Sequence, residues 1–301
     1  MARVCYQLVL ASVLSSGLML VGCRTDVSEK PAVPGGPTAT EVSADEPEAI
    51  RAAETAGAVL KRNSDGQVTS ATVESDEQLI AVSKLKAVTD ISAGVPAVSD
   101  AGLASLEGHP SLRKIFLMRA GVSDEGMASL AKCPKLEEVD LQLTQVGDAG
   151  VAHLATSTSI QRLKLPKTNV SNAGLASMGQ MPQLVYIDLS DVNTVSDEGL
   201  ESLKELKNLR FLRVWGQTFT NEGLAKIAHL QSLEIISMPQ SLVDDDGMES
   251  IAKLENLKEL GFYGASITDA GLQKLSSLKN LEKLDLRGNR IKGPGFEHLT
   301  G

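Results

Sequence analysis

Val122-Ser123-Asp124-Glu125-Gly126-Met127-Ala128-Ser129-Leu130 decides the fold, because its order of apolar residue, Asp or Asn, Gly, Leu and Leu returns through most of the chain. Nine glycines mark the returns: Gly102, Gly126, Gly150, Gly174, Gly199, Gly223, Gly247, Gly271 and Gly295. Their spacings are 24, 24, 24, 25, 24, 24, 24 and 24 residues. A fixed period of this length marks a solenoid, in which each coil buries its apolar stripe only against its neighbours.

Between the glycines lies a second pattern: Leu112-x-x-Ile115-x-Leu117, Leu136-x-x-Val139-x-Leu141, Ile160-x-x-Leu163-x-Leu165 and Leu184-x-x-Ile187-x-Leu189. It continues through Leu209-x-x-Leu212-x-Val214, Leu233-x-x-Ile236-x-Met238, Leu257-x-x-Leu260-x-Phe262 and Leu281-x-x-Leu284-x-Leu286. Period two predicts a strand here, and the Leu103-x-x-Leu106 spacing after each glycine predicts a short helix on the other side of the coil. Val98, Val122, Val146, Val170, Val195, Phe219, Val243, Ile267 and Ile291 should form an internal ladder along the stack. A degenerate first repeat begins at Ser75-Asp76-Glu77-Gln78-Leu79, with Gln78 in place of the glycine. The coil holding Thr156-Ser157-Thr158-Ser159 should be the weakest, since polar residues replace apolar ones.

With its 24-residue period, L-x-x-L-x-L resembles the leucine-rich repeat family over about residues 74–301. The G-L-A-S-L and G-L-A-K-I forms are similar to its GALA-type bacterial branch. The resemblance implies an α/β fold: a right-handed horseshoe solenoid with a parallel β-sheet on the concave face and short helices on the convex face. One departure is that the family's Asn after the strand survives only as Asn289, with Thr144, Thr168, Val192 and Gln217 elsewhere. Hydrogen bonding at that turn should therefore differ from the family pattern. The final coil, ending Phe296-Glu297-His298-Leu299-Thr300-Gly301, has no separate cap, which would leave a strand edge open near Leu286.

Residues 46–73 read as an N-terminal cap of helix plus hairpin. Asp45-Glu46-Pro47 supplies an N-cap and an early proline, and Asn63-Ser64-Asp65-Gly66 supplies the turn between two strand-like runs. Residues 24–45, rich in Pro, Gly, Ala, Ser, Thr and acid, have almost nothing to bury and read as a disordered tether. Residues 1–23 read as an export signal, with Arg3 before an apolar run too short for a stable span. Leu20-Val21-Gly22-Cys23 resembles the lipobox of bacterial lipoproteins, which implies cleavage before Cys23 and its diacylation. Acyl chains hold a protein at a membrane surface by about 0.8 kcal/mol per buried methylene. The expected location is the bacterial cell envelope. Arg24, where Asp retains many such proteins at the inner membrane, leans towards the outer membrane.

The net charge is −9, and without the leader, which has one Arg and no acid, 28 basic residues face 38 acidic ones, or −10. That balance argues against nucleic acid, which needs a basic footprint. Of three cysteines, Cys5 leaves with the leader, Cys23 would be lipidated and Cys133 has no internal partner. Cys133 occupies the position of Met181, Leu206, Leu230, Leu254 and Leu278, so it reads as a buried apolar residue.

Asp100, Asp124, Asp148, Asn172, Asp197, Asn221, Asp245 and Asp269 recur two residues before the glycines. They read as caps of the helices that follow, a cation ladder strongest at Asp244-Asp245-Asp246 being the alternative. Ser129-x-x-Lys132, Ser250-x-x-Lys253 and Ser276-x-x-Lys279 imitate an acyltransferase motif without its partners. His109, His153, His229 and His298 fall on different coils, so neither a catalytic residue nor a metal site is assigned, no cofactor is implied and an enzyme is not expected.

Eight aromatics remain after the leader, and Phe116, Tyr186, Phe211, Trp215 and Tyr263 occupy strand positions alternating with the buried set. Neighbouring coils should align Tyr186, Phe211 and Ile235 in one row and Trp215, Pro239 and Tyr263 in another, with Arg213 between them and Asp188 adjacent. Exposed aromatics with an Arg suit a binding hot spot for a protein ligand on the concave face. Mutual stacking that merely covers the sheet is the other reading of the rings. Two further functions stay open at this point: a carbohydrate or cell-wall binder, and a structural protein that self-associates through its uncapped end.

Overall fold

The computed structural model describes residues 45–299; the leader, Cys23, the tether up to residue 44 and residues 300–301 lie outside the described residues. Eleven strands form one sheet in strict chain order. Helix α1 (Pro47–Thr55) comes first, followed by the antiparallel pair β1 (Val59–Arg62) and β2 (Val68–Thr72). From β2 onward every neighbouring pair is parallel. The remaining strands are β3 (Asp90–Ser92), β4 (Lys114–Phe116), β5 (Glu138–Asp140), β6 (Arg162–Lys164), β7 (Tyr186–Leu189), β8 (Phe211–Val214), β9 (Ile235–Ser237), β10 (Glu259–Gly261) and β11 (Lys283–Asp285).

Each coil returns through a helix of five to seven residues on the opposite side, from Asp76–Val82 in the first coil to Asp269–Lys274 near the end. Helices this short do not persist alone in water, so packing of their apolar residues on the strands must hold them. Ile115, Val139, Leu163, Ile187, Leu212 and Ile236 face inward in register from successive strands. The ladder from Val98 to Ile267 is buried throughout, and only its last member, Ile291, is half-buried. All belong to one continuous core.

The recurring acid does not cap its own helix. Ser75, Ser99, Ser123, Ser171, Thr220 and Thr268 are the caps, their hydroxyls accepting an N–H of the first turn. The acid that follows turns sideways and holds the cap residue of the next coil. Asp100 accepts from Ser123 N–H at 2.9 Å and Ser123 Oγ at 2.6 Å. The same pair of bonds joins Asp76 to Ser99, Asp197 to Thr220 and Asp245 to Thr268. In these pairs the rung meets two donors at the next coil's entry turn, which is what an Asp can do from a neighbouring coil and a Leu cannot.

These rungs also explain the glycines. A Cβ at Gly223 would stand 2.8 Å from Asp197 Cγ and closer to its oxygen, and one at Gly150 would stand 2.6 Å from Asp124 Oδ1. Gln78 escapes the rule because no earlier coil reaches it, and its amide oxygen accepts from Glu74 N–H at 2.7 Å. Asp244 stands at the repeat position of the Ser and Thr caps, although Asp246 is the N-cap of its helix, and there the rung is Asn221, whose Nδ2 donates to Asp244 Oδ1 at 2.7 Å.

At the turn after the strand, Thr144 and Thr168 donate back to Leu141 and Leu165 of their own coils, each at 2.7 Å. Asn289 alone in its column also donates across, to Phe262 O at 2.6 Å. The next residue-level constraint is a left-handed backbone at Arg119, Leu143, Lys167 and Gln240, and at Gly216, Gly264 and Gly288. At Arg119, Leu143, Lys167, Gly216, Gln240 and Gly264 the N–H donates to the following coil. At the start of the chain Glu46, not Asp45, is the N-cap of α1, and it makes no side-chain cap; Asp45 instead accepts from Ala87 N–H at 3.0 Å, tying α1 to the first coil. In the coil read as weakest, Ser157 is buried and bonded to Ser159 at 3.1 Å, and Gln183 donates to Ser157 O at 2.8 Å. Polar groups there are met rather than orphaned.

Candidate functional site

The outward side chains of the sheet form rows running across the coils. The first row reads Asp90, Lys114, Glu138, Arg162, Tyr186, Phe211, Ile235, Glu259, Lys283. Charge alternates for four strands, stops for three apolar residues, and resumes. The second row reads Phe116, Asp140, Lys164, Asp188, Arg213, Ser237, Gly261, Asp285. It alternates as well, until Ser237 and Gly261 leave it without bulk. Opposite charges on adjacent strands satisfy one another, so the alternating parts are self-contained. Both interruptions fall on β7–β10.

Where the pattern holds, ion pairs close it. Glu138 is buried and receives Lys164 Nζ at 2.6 Å and Arg162 Nε at 3.4 Å. Asp188, also buried, accepts from Ser190 Oγ at 2.6 Å and Arg213 at 3.4 Å. Burial pushes the Asp140 carboxyl above its ordinary range, against the pull of the Gln142 N–H and Lys164.

Where the pattern stops, aromatics take over. Tyr186 and Phe211 stack with ring centres 3.9 Å apart and planes 6° apart, and the Arg162 guanidinium lies 4.2 Å from the Tyr186 ring centre. Arg213 is 5.2 Å from Phe211. Such contacts add about 1 kcal/mol each beyond burial. Burial, with Asp188 nearby, raises the Tyr186 hydroxyl above its usual range. The stack is half-buried. Trp215 and Tyr263 take no part in it. They flank a recess of about 260 Å3 whose lining also includes Arg213, Ser237, Pro239, Gly261, Asp285 and Arg287.

The structure thus brings Tyr186, Phe211 and Arg213 together on the adjacent strands β7 and β8, places Trp215 just past the end of β8 and Tyr263 in the turn after β10 rather than at the strand positions expected of them, and leaves Phe116 apart. Phe116 lies three strands from Tyr186, and Lys164 lies 5.8 Å from the centre of each ring. Arg162, Arg287, Asp285 and the two small residues Ser237 and Gly261 are the members that motif reading misses. Writing the strands out in register would have exposed them, since only the rows reveal where alternation breaks.

Other residue types with chemical potential are occupied structurally. His109 is buried, its Nδ1 accepting from Leu112 N–H at 3.1 Å and its Nε2 lying 3.0 Å from Leu85 O, and desolvation lowers its pKa. Cys133 is buried, its thiol donating to Leu106 O at 3.1 Å, and burial pushes its pKa up. Among the described residues no group of three or more His, Cys, Asp or Glu could hold a metal, and Asp245 of the acidic triplet is engaged as a rung. No helix among the described residues is long and apolar enough to cross a membrane.

A family model described as Leucine Rich repeat matches residues 132–155 and 277–299, two well-separated coils of the array. The two matched coils are leucine-rich repeats, and the fold is a leucine-rich-repeat solenoid. No catalytic family is indicated. Among solved structures the chain is similar to an internalin, InlF, of Listeria monocytogenes, with 16% identity over 85% of this chain and 93% of that one and a TM-score of 0.50. It is also similar to internalin C2 of the same organism, with 21% identity over 84% of this chain and 89% of that one and a TM-score of 0.49. At these identities the likeness is one of fold. No curated protein sequence matches the chain.

Proposed function

We propose that the protein is a non-enzymatic scaffold that binds a protein ligand on the sheet face, at the strands where the alternating charge rows are interrupted. The observation that carries this reading is the apolar run Tyr186, Phe211 and Ile235 across β7–β9, where the first charge row stops, with Arg213 beside it. Charges that neutralise one another across strands need no partner. Aromatic and Arg side chains at a break in that pattern have the composition of a hot spot. Lipidation at Cys23 would hold this face at the bacterial cell envelope, the tether giving it reach.

The test is capture from envelope extract by the chain from residue 24 onward, beside Tyr186→Ala/Phe211→Ala with its folding checked. A partner held by the wild type and lost by the variant supports the reading. Equal capture moves the contact off the stack. Cys23→Ser should release the full-length protein from the membrane fraction, and retention there would overturn the anchor.

A further inference from the structure

The recess beside the stack has a lining that does not suit a protein anchor. Of its ten lining residues only Pro239 has an aliphatic side chain. Interface cores are depleted in charge, whereas four of these ten are charged. Ser237 and Gly261 make the notch by withdrawing bulk from two successive strands, and Trp215, Pro239 and Tyr263 wall one side.

Charge narrows the ligand further. Two Arg and two Asp sum to zero, and both Arg are already engaged: Arg213 with Asp188 at 3.4 Å, and Arg287 with Asp285 at 2.7 Å. An anion or a cation would have to compete with those pairs. A neutral ligand need only add hydrogen bonds to the outer edges of planar groups that are already held in place. Its apolar contact must be with ring faces, because rings and a proline are all the recess offers.

At about 260 Å3 the space also falls below the range of roughly 300–1,000 Å3 that holds drug-sized molecules. The geometry points to a binding site for one neutral pyranose unit of an oligosaccharide. Its C–H face packs on Trp215 or Tyr263, and its hydroxyls bond to Asp285, Arg213 and Ser237. This site adjoins the protein contact assigned to the stack and shares only Arg213 with it.

Trp215 is the protein's single tryptophan, so its emission reports on the recess directly. The experiment is a fluorescence titration of the full chain with cellotetraose, maltotetraose, tetra-N-acetylchitotetraose and mannotetraose at millimolar concentration. At least one should give a saturable shift, weakened at least tenfold by Ser237→Phe, which fills the notch, and by Tyr263→Ala, which removes a wall. The Tyr186→Ala/Phe211→Ala variant should bind that sugar as the wild type does, so that loss of protein capture and loss of sugar binding separate. No saturable shift with any of the four overturns the site. So does binding that survives both recess variants while they remain folded, or a preference for the anionic polygalacturonate over every neutral sugar.

Discussion

The rung column and the outward face of the sheet are built from the same coils and obey opposite rules. In the column, acid or amide, cap and glycine recur with nearly the same bonds from Asp76 to Asp269. On the face, no two successive strands between β7 and β11 present the same outward pair. Repetition marks the places where one coil depends on the next. Variation marks the places where a coil is free to answer to something outside the stack.

The sharpest way to break this contrast is to make one substitution in both regions. Gly223→Ala should lose about 3 kcal/mol in denaturant unfolding, because the new methyl displaces Asp197 from the two bonds it accepts from Thr220. Gly261→Ala should stay within about 0.5 kcal/mol, since its Cβ would meet only Ser237, whose Oγ is nearest at 3.2 Å and can turn aside. Equal losses would mean that the glycine column marks backbone geometry and not the rungs.

Asn221 offers a way to sharpen the rule from within the column. Asn221→Asp would set a carboxylate against that of Asp244, whose pKa is held below the ordinary value first by the Asn221 amide. We expect a loss of about 1.5 kcal/mol at low salt, smaller at high salt because the site is exposed. Adding Asp244→Ser should restore most of it by recreating the Asp100–Ser123 pair. A double-mutant cycle without coupling would show that the amide at this rung is incidental.

Aspartates in the two regions should also respond to pH with opposite sign. On the face, desolvation raises the Asp140 pKa, so its charged form is a burden above the folded value that fades as pH falls through it towards the unfolded value. Asp140→Asn should therefore stabilise the protein near neutrality, with the gain disappearing on acidification. In the column, N–H groups of Gly295, Lys292 and Gly293 lower the Asp269 pKa, so its contribution is present above the unfolded carboxylate value and lost as pH falls through the folded one. Asp269→Asn should destabilise near neutrality. Stability curves of the two variants that shift in the same direction would refute the distinction.

The same contrast explains what could be read from the chain alone. Period, strand, helix and core were legible because every coil repeats them, down to Val122 and its equivalents. The acids were visible but their partners were not. A carboxylate two residues before a glycine looks like a local cap, and only stacking places it against a serine 23 residues onward. Trp215 and Tyr263 could be picked out by their rarity. Ser237 and Gly261 could not, because the recess is made by missing bulk, and missing bulk has meaning only beside the neighbours on β8 and β11.

The smallest expected effect lies at the turn between the two regions. Lys167 is held in the left-handed region, φ 55°, so that its N–H reaches Ser190 O at 3.0 Å, a geometry that Gly216 and Gly264 meet in their own coils. A residue with a Cβ is strained there by about 1–2 kcal/mol, while glycine loses about 0.5–1 kcal/mol more backbone entropy on folding. The Lys167 side chain gives little back, since its 3.6 Å pair with Asp191 is half-exposed on both sides. Lys167→Gly should accordingly stabilise the protein by less than about 1 kcal/mol in denaturant unfolding. A loss instead would mean that the lysine stem or its ion pair outweighs the strain, and the post-strand turn would then belong with the face, tuned coil by coil, and not with the repeating column.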